Sequence, residues 1–212
     1  IGRAHVWTPV TDQSRMPSSA WKKIFSFLKT WFVKIWILLQ GKKLVFVTNN
    51  STKSRAGYVK KFTDLGLKVT PVRHSKHVLF VWRLQWQDEI FSSSFAAAAY
   101  LKDINFDRNK KVYVIGEVGI LEELELENFE YLGGPQDGEK RIELTKGYKM
   151  EHDRDVGAVV VGFDRYVNYY KLQFATLCIR ENPGCLFIAT NTDAVTHLTD
   201  AQEWAGGGCM VG

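Results

Sequence analysis

Short apolar runs alternate along the chain with amphipathic stretches, and this pattern predicts an α/β fold. Runs rich in β-branched residues predict buried strands at 44–47, 112–115, 156–161 and 186–189. Helical spacing between and after them predicts helices at 54–65, 95–102, 120–127 and 168–181. Gly66 ends the first helix, and the run from Asn182 to Gly184 ends the last. Such alternation predicts parallel βαβ units with right-handed crossovers.

The first strand, residues 44–47, stops on a cluster of small polar side chains. Its continuous apolar run is typical of a parallel strand covered on both faces. Thr48, Asn49, Asn50 and Ser51 follow it. Ligands of open α/β sheets bind at this carboxyl end, and hydroxyl, amide and backbone N–H groups suit a phosphate. The alternative is an Asn-rich turn with Thr48 as a helix N-cap. Ser51 is interpreted as a cap, and Arg55 as part of a solvated helix face.

Five blocks of the sequence match one known family in order and spacing. They are TNNSTKSRAGYVKKFTDLGLKV, EIFSSSFAAAAYL, KKVYVIGEVGILEELELENFEYLGG, DVGAVVVGFDRYVNYYKL and CLFIATNTDAVTHLTD. Together they resemble the plant phosphoglycolate phosphatases, members of the haloacid-dehalogenase superfamily with a large α/β cap. The resemblance covers residues 41–69 and 88–212. It implies a partial Rossmann-like core at 41–104, an inserted α/β cap at 105–203 and a return to the core at 204–212.

The same resemblance implies a substrate site shared by core and cap. Phosphate binding is implied for Thr48, Asn49 and Asn50. Substrate contacts on the cap side are implied for Phe163, Asp164, Asn191 and Asp193. The residues themselves leave open a strand-end turn at the first two of these cap positions and an Asx turn at the last two. His197 is interpreted as loop structure, and Gly206 to Gly208 are expected to approach the site where the chain re-enters the core.

The activity that the resemblance implies is hydrolysis of 2-phosphoglycolate to glycolate and phosphate through an aspartyl-phosphate, with Mg²⁺. The nucleophile of that family lies in an Asp-x-Asp-Gly motif on the first strand. Residues 1–40 contain one acidic residue, Asp12, and the only Asp-x-Asp of the chain, Asp153 to Asp155, precedes a strand. We interpret that motif as a loop, and we expect neither a nucleophile nor metal ligands in this chain. The family's later lysine and acidic pair are expected beyond Gly212. The alternative function is a non-catalytic remnant that binds phosphate or a protein partner through its cap.

The positive charge of the chain is concentrated near its start. The formal net charge is +5, and residues 1–40 account for it because the rest of the chain has 22 basic and 22 acidic residues. This balance predicts no nucleic-acid surface. Segments 1–40 and 72–87 do not resemble the family, and we interpret them as artefacts of the gene model. A third function, a membrane-surface protein, rests on residues 21–40. Their lysine-bearing apolar pattern fits a basic amphipathic helix but is too short and too charged to span a bilayer.

Cysteine usage and the remaining signals limit the partners. Cys178, Cys185 and Cys209 are scattered and odd in number, which argues against a disulfide framework or a zinc site. No secretory cleavage site follows the apolar segment near the start. The expected partner is a small phosphorylated substrate, with neither nucleic acid nor a membrane. The resemblance is compatible with a homodimer and implies a chloroplast or cytoplasmic location.

Overall fold

The computed structural model describes residues 45–64 and 90–211, and all of them fall in one structural unit. The two segments that do not resemble the family, 1–40 and 72–87, lie outside the described residues. The membrane-surface hypothesis for residues 21–40 lies outside them too. No helix within the described ranges is both long and apolar enough to cross a bilayer.

Strands and helices alternate as the sequence predicts. The strands are β1 Phe46–Thr48, β2 Ile90–Ser92, β3 Lys111–Ile115, β4 Tyr131–Gly133, β5 Val156–Val161, β6 Leu186–Ala189, β7 Val195–Thr196 and β8 Trp204–Ala205. The α-helices are α1 Arg55–Asp64, α2 Ser93–Asp103, α3 Val118–Leu126 and α4 Tyr169–Glu181. Two short 3₁₀ helices span Gly134–Asp137 and Gly207–Met210.

A four-stranded parallel sheet is the centre of the fold. Its strand order is β4-β3-β5-β6, and every neighbouring pair is parallel. Helix α3 connects β3 to β4, and α4 connects β5 to β6. Parallel neighbours need such crossover helices because a tight turn cannot join them. The α/β class with parallel βαβ units is therefore confirmed, and the predicted bounds of β5 and β6 match those of the structure.

Helices cover both faces of this sheet. On one face, Val112 and Val114 of β3 pack with Leu101 of α2 and Leu124 of α3. On the other face, the alternate residues of β3 and β5 pack with α4 around Phe174. Side chains alternate between the faces of a strand, so one apolar run supplies both layers. Helix α2, which the sequence assigns to the core, shares its apolar cluster with the cap strands.

The first predicted strand forms a separate parallel pair. Strand β1 aligns with β2 from Phe46 opposite Ile90 to Thr48 opposite Ser92. Val47 is 80% exposed and Val45 is 42% exposed. The prediction that this strand is covered on both faces is therefore wrong for its described residues. A continuous apolar run cannot distinguish a strand with two covers from one with a single cover.

Side-chain caps explain where two helices begin. The Ser92 hydroxyl accepts a hydrogen bond of 3.2 Å from the backbone N–H of Phe95 at the start of α2. The Asn168 side chain accepts one of 2.9 Å from the N–H of Lys171 at the start of α4. Ser and Asn are favoured N-caps because they satisfy an N–H that has no partner within the helix. Each cap therefore satisfies a backbone donor in the first turn of its helix.

Candidate phosphate-binding site

A cavity of about 540 Å³ opens where four of the parallel strands end. The loops that follow β1, β3, β5 and β6 all contribute to its walls. Crevices at the carboxyl ends of strands are the usual ligand sites of α/β folds. Of the predicted site residues, Thr48, Asn49, Asn50, Phe163, Asn191 and Asp193 line this cavity. Asp164 is not among the residues of the walls.

Thr48 lies at the end of β1 with its hydroxyl in a short hydrogen-bond chain. Its Oγ1 is 3.3 Å from the hydroxyl of Tyr58 and accepts a 3.3 Å bond from the N–H of Asn50. Burial raises the pKa of Tyr58, so the phenol stays protonated and can donate to Thr48. The N-cap alternative for Thr48 is wrong, since α1 begins only at Arg55. The Thr48 hydroxyl can thus donate its own proton into the cavity.

The two asparagines after Thr48 are held in place by different partners. The Asn50 Oδ1 accepts bonds of 2.7 Å and 2.8 Å from the backbone N–H and hydroxyl of Thr52. This closes a local turn typical of asparagine. The Asn49 Nδ2 donates to Oδ2 of Asp193 at 2.5 Å. Asn49 therefore links the loop of residues 48–52, named the phosphate loop after its predicted role, to a segment more than 140 residues further along the chain.

Asn191 and Asp193 form a turn that contacts the phosphate loop. The Asn191 Oδ1 accepts a 3.2 Å bond from the N–H of Asp193, as in an Asx turn. The Asn191 Nδ2 donates at 3.1 Å to the backbone carbonyl of Asn49. The predicted turn and the predicted contact with the site thus occur in the same segment. Direct contact of either side chain with a substrate stays a prediction.

Ser51 joins the loop after β5 to the loop after β1. It is fully buried, and its Oγ accepts a 3.0 Å bond from the N–H of Phe163. A Cβ added to Gly162 would lie 2.7 Å from this oxygen, so glycine is needed for the close approach. The interpretation of Ser51 as a helix cap is wrong. Its partner is 112 residues away, which no local pattern reveals.

Asp164 is buried behind the cavity wall. Its Oδ2 is 2.6 Å from Nζ of Lys171, and neither side chain is more than 2% exposed. Its Oδ1 accepts a 2.9 Å bond from the N–H of Tyr166. Buried charges are tolerated when they are paired in this way. The carboxylate therefore fixes the loop that carries Phe163 and Arg165, and its predicted contact with substrate stays a prediction without support from its orientation.

An ion pair on the cavity wall was missed from the sequence. Nε of Arg165 lies 2.6 Å from Oε1 of Glu117, and Nη2 lies 3.0 Å from Oε2. The Glu117 side chain is 12% exposed and that of Arg165 is 54% exposed. Their hydrogen bond raises the pKa of Arg165 further. Each residue follows the end of a predicted strand, which is the one sequence signal that could have identified them.

A second charged contact connects the helix after the phosphate loop to α3. Nε of Arg55 lies 3.0 Å from Oε2 of Glu123, whose side chain is fully buried. The interpretation of Arg55 as part of a solvated face is therefore wrong. A Cβ on Gly119 would come within 2.4 Å of the Lys53 backbone. Only glycine permits α3 to pack this closely beneath the phosphate loop.

The glycine run Gly206 to Gly208 packs against the turn around Asn191. A Cβ on Gly206 would lie 2.3 Å from the Asp193 carbonyl oxygen, and one on Gly208 would lie 2.6 Å from that of Thr192. Gly207 lines the cavity. The expected approach of this segment to the site therefore agrees with the geometry. His197 lies in an exposed stretch and is not among the cavity residues.

The described cavity residues do not assemble a magnesium site. The carboxylates that line the cavity are those of Glu117 and Asp193, and each is already hydrogen-bonded to another side chain. No group of three His, Cys, Asp or Glu residues within 45–64 and 90–211 could hold a metal ion. Asp153 and Asp155 precede β5, at the opposite strand end from the cavity, and Asp153 pairs with Lys111 at 2.9 Å. The loop interpretation of that motif is confirmed.

Comparison with known proteins finds relatives of this fold. The haloacid dehalogenase-like hydrolase family matches residues 36–130. Phosphoglycolate phosphatase 1A, chloroplastic, from Arabidopsis thaliana is 69% identical over 173 residues, which cover 82% of this chain and 43% of the relative. The chain has a haloacid dehalogenase-like fold and is a homologue of the plant phosphoglycolate phosphatases. Phosphoglycolate phosphatase 2 from the same organism is 60% identical over 172 residues, or 81% of this chain and 52% of that protein.

A solved structure supports the haloacid dehalogenase-like fold. The p-nitrophenyl phosphatase from Archaeoglobus fulgidus aligns with a TM-score of 0.57 and 27% identity, over 82% of this chain and 52% of its own. The present chain thus spans about half the length of the relatives it matches. This likeness supports the α/β fold of the described residues.

Proposed function

We propose that this chain binds 2-phosphoglycolate and serves its hydrolysis to glycolate and phosphate. One observation carries the proposal. The Thr48–Asn50 loop shares a cavity with the loops after β5 and β6, so a phosphate group and the rest of a small substrate have separate walls. The Arabidopsis relatives are named phosphoglycolate phosphatases, which supports this choice of substrate.

The Thr48 hydroxyl would hold the phosphate. Phosphate monoesters hydrolyse very slowly without a catalyst, and positioned hydrogen-bond donors supply much of the stabilisation in such sites. Tyr58 is within 3.3 Å of Thr48 and keeps its proton because burial raises its pKa. With Tyr58 donating to its oxygen, Thr48 directs its own proton toward a phosphate oxygen. Phe163 offers an apolar ring to the organic part of the substrate.

We propose magnesium as the cofactor from the likeness to haloacid dehalogenase-like hydrolases. Phosphatases of this superfamily generally use Mg²⁺, and the ion would screen the phosphate charge when bound. The described residues do not form its site, so no step is assigned to it.

We propose a chloroplast location because two relatives are named chloroplastic, and fractionation of source tissue checks this. A homodimer is proposed from the resemblance, and light scattering of the purified chain tests it.

A binding measurement tests the proposed role of Thr48. Isothermal titration of the purified chain with 2-phosphoglycolate should give saturable binding that inorganic phosphate competes away. Thr48→Val keeps the side-chain shape and removes the hydroxyl, so it should weaken binding by about 10-fold or more, as expected for one hydrogen bond to a charged group. Thr176→Val is the matched control, because it makes the same change at a hydroxyl that donates to the Leu172 carbonyl at 2.7 Å outside the cavity, and it should leave binding unchanged. If Thr48→Val binds as tightly as the wild type, the assignment of Thr48 is wrong.

A second function is favoured by one observation. Both cavity carboxylates are engaged with other side chains, and a phosphate cradle without a free nucleophile provides positioning but no covalent step. The chain would then be a phosphate-binding protein without hydrolysis. Release of inorganic phosphate from 2-phosphoglycolate by a hybrid, in which segments of a relative supply the nucleophile, separates the two functions. Release by the hybrid supports the first function, and binding without release by the hybrid supports the second.

A further inference from the structure

The cavity contains two cationic side chains, Lys53 and Arg165, among the residues of its walls. They lie on different loops: Lys53 follows the phosphate loop, and Arg165 follows β5. A small phosphorylated acid carries negative charge at both ends. The phosphate end has Thr48 and its neighbours, so the other end needs a donor on a separate wall.

We propose that Arg165 binds the carboxylate of 2-phosphoglycolate and thereby selects phosphate esters that carry an acid group. This inference rests on the proposed function and deepens it by naming a specificity-determining residue. The guanidinium has five N–H donors. Nε and Nη2 form one edge of the Arg165 guanidinium, and both donate to the Glu117 carboxylate. No described residue accepts a hydrogen bond from Nη1. The edge formed by Nη1 and Nη2 is therefore available to a second carboxylate.

Glu117 prepares the guanidinium for this role. The two contacts of 2.6 Å and 3.0 Å fix the plane of the group, although the Arg165 side chain is 54% exposed. An arginine that is held before binding loses less rotamer freedom when it forms new hydrogen bonds. Glu117 is a positioning residue, because it is 12% exposed and acts through the arginine.

The loop that carries Arg165 is fixed relative to the phosphate loop. The N–H of Phe163 donates to the buried hydroxyl of Ser51 at 3.0 Å, and Ser51 follows Thr48 by three residues. Arg165 is two residues beyond Phe163, so its Cα lies within about 7 Å of that residue. The buried pair of Asp164 and Lys171 holds the intervening position. The groups proposed to bind the two ends of a small substrate therefore lie on loops that are hydrogen-bonded to each other.

Lys53 is the competing candidate for the carboxylate. It also lines a second cavity of about 340 Å³ beside α1 and α3, so its side chain is shared between two openings. Its ammonium group is a point charge without the planar fork that matches a carboxylate. The described residues give Lys53 no ion pair that fixes its direction. Arg165 is therefore the better-placed of the two.

A pair of ligands that differ in one group tests the proposal. Titration of the purified chain would compare 2-phosphoglycolate with ethyl phosphate, in which a methyl group replaces the carboxylate. The test variant is the double substitution Glu117→Gln and Arg165→Gln, which removes both charges and leaves the cavity charge unchanged. Arg154→Gln is the matched control, because Arg154 pairs with Glu181 outside the cavity at 3.1 Å. Thermal melts establish that all variants are folded.

The expected result is a loss confined to one ligand. The double variant should bind 2-phosphoglycolate about 10-fold or more weakly and ethyl phosphate within about 2-fold of the wild type, while Arg154→Gln changes neither. Equal effects on both ligands would overturn the role of Arg165, as would a selective loss in Lys53→Gln instead. If the wild type binds neither ester, the proposed function itself fails. If it binds both equally and Thr48→Val weakens both, only this inference fails.

Discussion

At the scale of single residues, the candidate site depends on a few contacts between distant parts of the chain. Ser51 accepts from Phe163, Asn49 donates to Asp193, and Asp164 pairs with Lys171. Each joins a loop to a neighbour or to the helix behind it. The contacts are polar and partly or fully buried, so the loss of one partner leaves the other unsatisfied.

Lys171→Met should destabilise the protein strongly. The substitution leaves Asp164 charged and buried, because neither side chain is more than 2% exposed in the pair. Removal of one partner of such a pair costs about 3–5 kcal/mol of unfolding free energy. Urea unfolding followed by circular dichroism measures the change. Lys102→Met is the control, since Lys102 is 60% exposed in its pair with Glu127 and should contribute at most about 1 kcal/mol. Equal effects of the two substitutions would refute this account of the buried pair.

At the scale of elements, α2 connects the β1-β2 pair to the four-stranded sheet. It begins directly after β2, which pairs with the strand that carries Thr48. Its alanines and Leu101 then pack on the β3 and β5 face of the larger sheet. Small side chains let the helix lie close to the strands, and one large residue fills the remaining space. Helix α2 therefore fixes the position of the β1-β2 pair relative to the larger sheet.

Leu101→Ala should reduce stability because Leu101 is fully buried in this cluster. Substitutions of this kind cost about 2–5 kcal/mol, depending on how far the surroundings collapse. The neighbouring Tyr100 is 50% exposed, and Tyr100→Ala should change stability by at most about 0.5 kcal/mol. Denaturant midpoints of both variants provide the comparison. If Leu101→Ala unfolds at the same denaturant concentration as the wild type, α2 does not cover the sheet as described.

At the scale of the whole molecule, the described unit combines a four-stranded parallel sheet with two two-stranded pairs, β1-β2 and β7-β8. The larger sheet has helices on both faces, whereas β1 has Val47 80% exposed. The cavity lies where strands of the β1-β2 pair and of the four-stranded sheet end. The chain also spans about half the length of its relatives.

The purified 212-residue chain should release no phosphate from 2-phosphoglycolate above background, even with Mg²⁺. No Asp-x-Asp follows an apolar strand in the sequence, and the described cavity carboxylates are engaged. A hybrid in which the Asp-x-Asp and metal-binding segments of a relative flank this chain should release phosphate. Thr48→Ala in that hybrid should slow release on the order of 10²-fold, as for the loss of one transition-state donor. Mg²⁺-dependent release by the unextended chain in a malachite-green assay would contradict the prediction and require another nucleophile.

The sequence by itself determined the elements and one wall of the site. Continuous apolar runs gave β5 and β6 their bounds. Strand β5 is buried almost throughout, and a strand covered on both faces must be apolar along its length. The alternation of strands and helices predicted the parallel sheet. Thr48 and the asparagines were found because ligand-binding side chains follow strand ends, which is a local property of the chain.

Tertiary structure alone decided which polar residues pair and which face the cavity. Arg55 pairs with Glu123, 68 residues away, and Arg165 pairs with Glu117, 48 residues away. The spacing of such partners carries no periodic signal, because their contact depends on how crossovers place separate loops at one sheet edge. Asp164 shows why the sequence alone was not enough. A carboxylate at a strand end suggests a contact with a ligand, but Lys171 of α4 pairs with this carboxylate, and both side chains are buried. Burial and partners, which only the fold sets, determine what each charged group can do.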